Sequence, residues 1–565
     1  MIEIMKSQIF SKVIYFILFM ALGAASCKDY ITIQPRGTLD LNYYFQTKAD
    51  CDAYINVVYR RSIQGLSWYD VASPESALQM STDDGWMGNT QQGSGDYFPS
   101  AFFTYSAQDI GHVLHYWREK YKIILNCNEG IVRAPLIKTI SQNDLNQFLA
   151  ECYFFRAFNY FHLVNVHGYV PITTSYLASD QLNLKNDAPN QPQLVYDQIV
   201  KDLTKAMELL AFNKTKDAGG RINYFVAEAY LSRVYLFMGK FQESYTAANN
   251  VINSGLYSLS SNFIDCTNYK NRNGVESILE AQNLANVRPD KSGNTFSMVM
   301  GARAEQAGPM IINGVSVPSF ILGQAAIKDG WARGGAPTSD LENAFLSEND
   351  SIRMGCTITK YGEPVYGDEL EVPHYNILLS QNKSGRGCRK YYVPVACRMT
   401  FQDIDDAPLP MLDMRLAEVI LTRAEAAFKT SNEGQATIDM NTIRDRVKLP
   451  AKIGLSGPAL LRAIWKERRL ELAFEAGGMR YYDMRREIEP DGPNTGKPVI
   501  CSIMGPNGSF VLYNTTQSKD PFETTNLIEP QNKGSLFQWP HHQYFPVLQR
   551  EIDNANGTLT QITGY

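Results

Sequence analysis

Two tryptophans stand in loop-like stretches rich in groups that bind hydroxyls. Trp86 follows Asp83 and Asp84 and precedes Asn89, and Tyr97 and Phe98 close the same stretch. Trp331 lies two residues before Arg333 in a second stretch of glycine and charge. A flat indole stacks on the C–H face of a sugar ring, while carboxylates, amides and guanidiniums bond its hydroxyls. Both stretches therefore have the composition of a carbohydrate platform. The opposing reading is that each tryptophan folds back to pin its own loop, and composition alone leaves that open. Trp68, Trp117, Trp465 and Trp539 lie in helical or apolar settings and are expected in the core.

A different chemistry is posed by Leu460 to Arg486. Leu461, Ile464, Trp465 and Leu472 recur at helical spacing, with Leu470, Ala473 and Phe474 on the far side, so the helix is expected to be buried. Arg468, Glu471 and Glu475 fall on the first apolar face, and Gly477-Gly478 is expected to stop the helix. Charges on a buried face are either paired or catalytic.

Catalytic signatures are missing from the sequence. It has no Gly-x-Ser-x-Gly elbow, no glycine-rich phosphate loop and no His-Glu-x-x-His. His112 and His115 share a helical face without an acidic third ligand, which reads as a structural pair and not a metal site. Asp83-Asp84 or Asp403-Asp405-Asp406 could serve a glycosidase, but neighbours in sequence do not set the roughly 5–9 Å carboxyl separation that hydrolysis requires. The second cluster could also hold calcium, though it lacks the rest of an EF-hand loop; no cofactor is expected.

The net charge of −5 on 565 residues provides no basic field for nucleic acid. Aromatic residues reach 12 %, which suits a surface that offers flat faces to ligands. Lys6 and Lys12 precede an uncharged run, Val13 to Ala25, that is shorter than the roughly 20 residues of a membrane span. It closes on Ala24-Ala25-Ser26-Cys27, which resembles a bacterial lipobox, with Cys27 the lipidated residue and an ordinary secretory cleavage site the alternative. Residues 1–26 are then a signal peptide and 27–40 a tether. No Cys-x-x-Cys occurs among the remaining eight cysteines; Cys388 and Cys397, bracketing Tyr391-Tyr392-Val393, are the expected disulfide if one forms.

Helices are expected at Thr47–Ile63, Gly111–Asn126, Leu145–His167 and Leu194–Leu210. Ala227, Leu231, Tyr235, Gly239, Phe241 and Ala248 follow the order of a tetratricopeptide helix–turn–helix unit, and Met411–Thr430 with Gln435–Val447 is a second pair. Residues 257–410 read as loops and short strands. The fold class is thus mainly α: tetratricopeptide-like helix pairs form a scaffold that carries a loop-rich region with short strands. One domain spans 41–565, with parts at 41–256, 257–410 and 411–565.

Five blocks in order resemble the SusD/RagB family of outer-membrane nutrient-binding lipoproteins. They are the lipobox at Cys27, Arg156-Ala157 with Gly168-Tyr169-Val170-Pro171, Gly220-Arg221 leading into Ala227–Gly239, the Met414–Ala426 and Asn441–Arg444 stretches, and Glu467-Arg468-Arg469 through Glu475 with Arg480, Asp483 and Phe545-Pro546. The resemblance implies a lipid-anchored protein of the cell surface, without catalytic activity, that caps a SusC-like TonB-dependent outer-membrane transporter. Its ligand would be an oligosaccharide, or in the alternative a peptide; a secreted glycosidase is the reading outside the family. The matched motifs are scaffold in that family, so they transfer no binding residues. They do decide the question of the buried helix: Arg468 and Glu471, with Arg480 or Arg485 and with Glu475 nearby, are expected to form a structural ionic network.

Overall fold

Polar caps and apolar periodicity set the helices. Helix α1 (Lys48–Ile63) starts at Thr47, whose hydroxyl accepts from the Asp50 amide while the Asp50 carboxylate accepts from the Thr47 amide. The computed structural model describes residues 45–64, 72–86, 97–108, 111–176, 185–186, 191–284, 295–300, 310–312, 315–317, 336–369, 384–394, 397, 407–475, 478–516, 533–562 and 564–565. After α1 come α2 (Ala72–Met80), the short strand β1 (Gly85–Trp86), α3 (Tyr97–Phe102) and α4 (Gly111–Arg133). Helix α5 (Gln142–His167) is buried along most of its length, because it packs against α1, α4 and α6 (Gln191–Leu209). It ends at Gly168, with φ of 63°, where a Cβ would lie 2.6 Å from the Tyr544 ring. Only glycine lets that ring close over the helix end, and the Phe545 amide then donates to the Val166 carbonyl.

Helices α7 (Tyr224–Phe237) and α8 (Phe241–Asn253) form the expected pair, turning at Gly239 with φ of 71°. The middle of the chain adds β2 (Ser277–Ala281), α9 (Thr295–Met300), β3 (Met310–Ile312), β4 (Val315–Val317), β5 (Ala336–Pro337), α10 (Ser339–Leu346), α11 (Ser351–Thr357), β6 (Ile358–Lys360) and β7 (Arg386–Cys388). The described strands form two-stranded antiparallel pairs: β1 with β5, β3 with β4, β6 with β7, and β2 with β8 (Met411–Arg415). Residues Met411–Arg415 were expected to be helical. They are extended because they pair with β2 at a fully buried position, and helix α12 (Leu416–Lys429) begins only after them.

Helices α12 and α13 (Glu433–Arg446) pair with each other, and α8 packs on α12. Ala424, Ala427, Ala436 and Met440 from that pair meet Leu460 and Ile464 of α14 (Gly457–Leu472) in one apolar cluster. Small side chains let the three backbones approach closely. The chain ends with α15 (Met479–Arg486), α16 (Ile500–Ile503), α17 (Ser509–Thr516) and α18 (Gln549–Asn554). Thr47–Tyr565 is one compact unit. Among the described residues no helix is long and apolar enough to cross a membrane. The expected Cys388–Cys397 bridge does not form: Cys397 packs with Val393, Ala407 and Leu409, and Cys388 is a separate buried thiol.

Helix α14 stops at Leu472, four residues earlier than expected, before the glycine pair is reached. Side chains take the carbonyls at and just beyond its end: Arg415 and Lys390 both donate to the Glu471 carbonyl, and the Tyr391 hydroxyl donates to that of Phe474. Arg415 engages all five of its N–H donors, on Glu276, Glu471, Glu475 and the Glu471 carbonyl. The Glu471 carboxylate accepts from Arg353, Arg415 and Arg446. Arg468 and Glu471 are thus both buried and ion-paired, but not to each other. Arg468 reaches Asp483 at 2.9 Å and Glu418 at 3.2 Å, because three residues on the helix set it about 60° round from Glu471, toward α15 and α12. Glu475 pairs with Arg415 and Lys390, whereas Arg485 bonds carbonyl oxygens instead of the network.

Burial alone would raise the Glu471 pKa, but Arg446, Arg415 and Arg353 outweigh it and hold the carboxyl below its usual value of 4.5. A depressed folded-state pKa contributes stability that is present above 4.5 and is lost as pH falls below it. Glu471→Gln should therefore lose about 3–5 kcal/mol of unfolding free energy at neutral pH. The gap between variant and native protein should narrow as denaturant titrations are moved to acid pH. An unchanged midpoint at neutral pH, or a gap that widens in acid, contradicts the assignment.

Candidate ligand-binding site

Next to Arg468 on the same helix, Arg469 points the other way, toward the stretch that holds Trp86. Its guanidinium bonds Asp84 and Asp340, each at 2.7 Å, and approaches Asp83 at 3.3 Å. Arg480 of α15 grips the Asp83 carboxylate in a fork, at 2.8 and 2.7 Å. Burial raises the Asp83 pKa, but Arg469 and Arg480 outweigh it and hold the carboxyl low. Asp84 is shifted upward, chiefly by burial.

Backbone bonds extend this anchor to the second segment. Thr338 donates its hydroxyl to the Asp83 carbonyl at 2.6 Å and its amide to the Asp84 carbonyl at 2.9 Å. Gly85 and Trp86 then pair antiparallel with Pro337 and Ala336. The Lys533 ammonium donates to the carbonyls of Thr82 and Gly85 and lies 5.8 Å from the centre of the Trp86 ring system. Trp86 meets Phe102 edge-on, is 1 % exposed, and its Nε1 has no acceptor among the described residues.

These contacts correct three expectations. Trp86 is a core side chain and offers no face to a ligand. Asp83 and Asp84 are buried and bonded to arginines, so their oxygens anchor the backbone and do not receive hydroxyls. Asn89, Trp331 and Arg333 lie outside the described residues, as do Cys27, Asp403, Asp405 and Asp406. Tyr97 opens α3, but its side chain and that of His112 are outside them too, while His115 is exposed. Among the described residues no cluster of His, Cys, Asp and Glu could hold a metal ion.

What the fold does bring together is the pair of segments themselves. The chain leaves β1 into residues 87–96, which carry Asn89, and enters β5 from residues 318–335, which carry Trp331 and Arg333. Both attach to one antiparallel pair held by α14. The residues that build this root, Arg469, Arg480, Thr338, Asp340 and Lys533, carry no local sequence signal for it. Arg469 and Arg480 sit in a scaffold motif, and their partners are hundreds of residues away.

Two family models match the chain: the SusD family over residues 346–565, and the family described as starch-binding associating with outer membrane over residues 40–236. The chain belongs to the SusD/RagB family. This is a family of carbohydrate-binding proteins associated with the outer membrane, without catalytic activity. A SusD-like protein of Formosa agariphila is 27 % identical over 505 residues, which are 86 % of this chain and 93 % of that one. A laminarin-binding SusD-like protein superposes with a TM-score of 0.67 at 22 % identity, covering 92 % of this chain and 100 % of its own. Surface glycan-binding protein A from Bacteroides thetaiotaomicron, solved in complex with laminarihexaose, gives 0.66 at 16 %, covering 91 % and 99 %. At such identities the likeness of the solved structures establishes the fold.

Because one arginine holds both segments, loosening it should free both. In Arg469→Ala, hydrogen–deuterium exchange at residues 81–86 and 336–340 should accelerate together, while α5 keeps its protection. Acceleration confined to one of the two segments contradicts a common root.

Proposed function

We propose that the protein captures an oligosaccharide at the cell surface and delivers it to a SusC-like TonB-dependent transporter in the outer membrane. The observation that carries this reading is the root at β1 and β5. A binding surface made of loops needs rigid attachment, and two segments with the composition of a sugar platform share one, fixed by buried Arg–Asp pairs. Family membership supports the ligand class, and the laminarin-binding neighbours make β-glucans the first to try. Lipidation at Cys27 would keep the protein on the membrane while its ligand is passed on.

Calorimetry of the full chain against neutral oligosaccharides, laminarihexaose among them, should find micromolar-to-millimolar binding. Trp331→Ala should weaken that binding with the melting temperature retained. Trp86→Ala should instead cost about 3–5 kcal/mol of stability, as removal of a buried aromatic does. Binding of oligopeptides and of no sugar would replace the glycan with a peptide, and binding of neither would refute capture of both kinds. Co-purification of a large outer-membrane barrel with the tagged protein tests the transporter separately.

A further inference from the structure

A second concave surface lies between α1 and the end of β2. It is a cavity of about 440 Å³ lined by Asn56, Arg60 and Ile63 on one side and by Ala281, Gln282 and Leu284 on the other, with Gly220 and Arg221 at one end. None of these residues belongs to the root at β1 and β5. The volume falls in the range of small-ligand pockets, about 300–1,000 Å³.

Its walls are held before any ligand arrives. The Tyr59 hydroxyl donates to Glu151 at 3.0 Å and accepts from the Ile222 amide at 2.8 Å, and its ring meets Phe155 edge-on. Arg221 clamps Glu151 and also bonds Asp52 at 2.9 Å. The Asn283 amide donates to the Leu409 carbonyl at 2.9 Å, which fixes the strand end. Fixed walls lower the ordering cost of binding.

The polar groups left over define the ligand. Gln282 packs against Gly220, where a Cβ would stand 2.2 Å from its Nε2. That Nε2 is buried and has no acceptor among the described residues, which is costly for an amide donor. A side-chain turn toward a hydroxyl bound in the groove supplies the acceptor. Asn56 is exposed on the facing helix. The charge of Arg221 is neutralised by Glu151 and Asp52, so it holds no anion. Leu284, 49 % exposed, and the half-buried Ala281 provide apolar surface for C–H groups, with Ile63 buried behind them. Arg60 and Glu280, of opposite charge, also line the groove, so with Arg221 already neutralised no one sign of charge prevails, which fits a neutral polyol better than a charged ligand.

We propose that this groove is a second carbohydrate subsite, taking a neutral sugar unit through Gln282 and Asn56 with its apolar face on Ala281 and Leu284. The inference rests on the carbohydrate reading of the family above. Hydrogen–deuterium exchange on the full chain, with laminarihexaose, cellohexaose and maltohexaose in turn, tests it directly. A bound hexasaccharide should protect residues 56–63 and 280–284. The double variant Asn56→Ala, Gln282→Ala should abolish that protection and weaken binding about three- to tenfold, the worth of a hydrogen bond or two. Its melting temperature should hold, since neither amide bonds a protein group among the described residues. Binding with no protection in the groove, or a variant that binds like the native chain, overturns the subsite and leaves the proposed function standing. Binding of no hexasaccharide overturns both. Protection of the groove by an oligopeptide and by no sugar overturns the subsite as a carbohydrate site.

Discussion

Glu471 lies among the guanidiniums of Arg353, Arg415 and Arg446 on a helix buried from solvent. A carboxylate so placed requires partners, because an isolated charge in a medium of low dielectric is strongly unfavourable. The same holds for Glu467, Arg468 and Arg469 in the preceding turn, each of which reaches a different element. The charges thereby specify position. Shifting α14 by one residue would leave several of them unpaired at once, whereas an apolar helix could slide with small loss. Pairs of this kind add little over an apolar core when intact, yet removing one partner is costly. Their effect is to permit one arrangement of the helices around α14.

That arrangement is what holds the β1–β5 pair in place. Arg468 faces the scaffold, through Asp483 and Glu418, while Arg469 faces the β1–β5 pair, through Asp84 and Asp340. Glu418 in turn bonds Arg233 of α7 at 2.6 Å, so the chain of pairs runs from the helix–turn–helix unit to β1. The β1–β5 pair is thus tied to the scaffold through its most heavily ion-paired helix.

Much of the scaffold was legible because its signals are local. Gly168 with Pro171, Gly239 between two amphipathic runs, and alanines at close-packing positions each announce a helix end or a helix contact within a few residues. That α14 is buried and charged was equally local, since it follows from residue types at 100° intervals. The partners of those charges were not local. Arg480 finds Asp83 at a separation of 397 residues, and no periodicity encodes that. Met411–Arg415 was misread for the same reason: its extended form comes from pairing with β2, more than a hundred residues earlier. Trp86 and its aspartates looked solvent-facing because glycine and polar residues surround them in sequence. In space they meet two arginines and a lysine, which turn a polar stretch into a buried one.

The claim that α14 anchors the loop root through paired charges is tested most directly by a double-mutant cycle on Asp84 and Arg469. Unfolding free energies of Asp84→Ala, Arg469→Ala and the double variant give the coupling between the two side chains. The expected result is a coupling of about 0.5–3 kcal/mol, with the double variant less destabilised than the sum of the single ones. Additive losses would mean that the two residues act independently, and would contradict the anchoring of the β1–β5 pair by this helix.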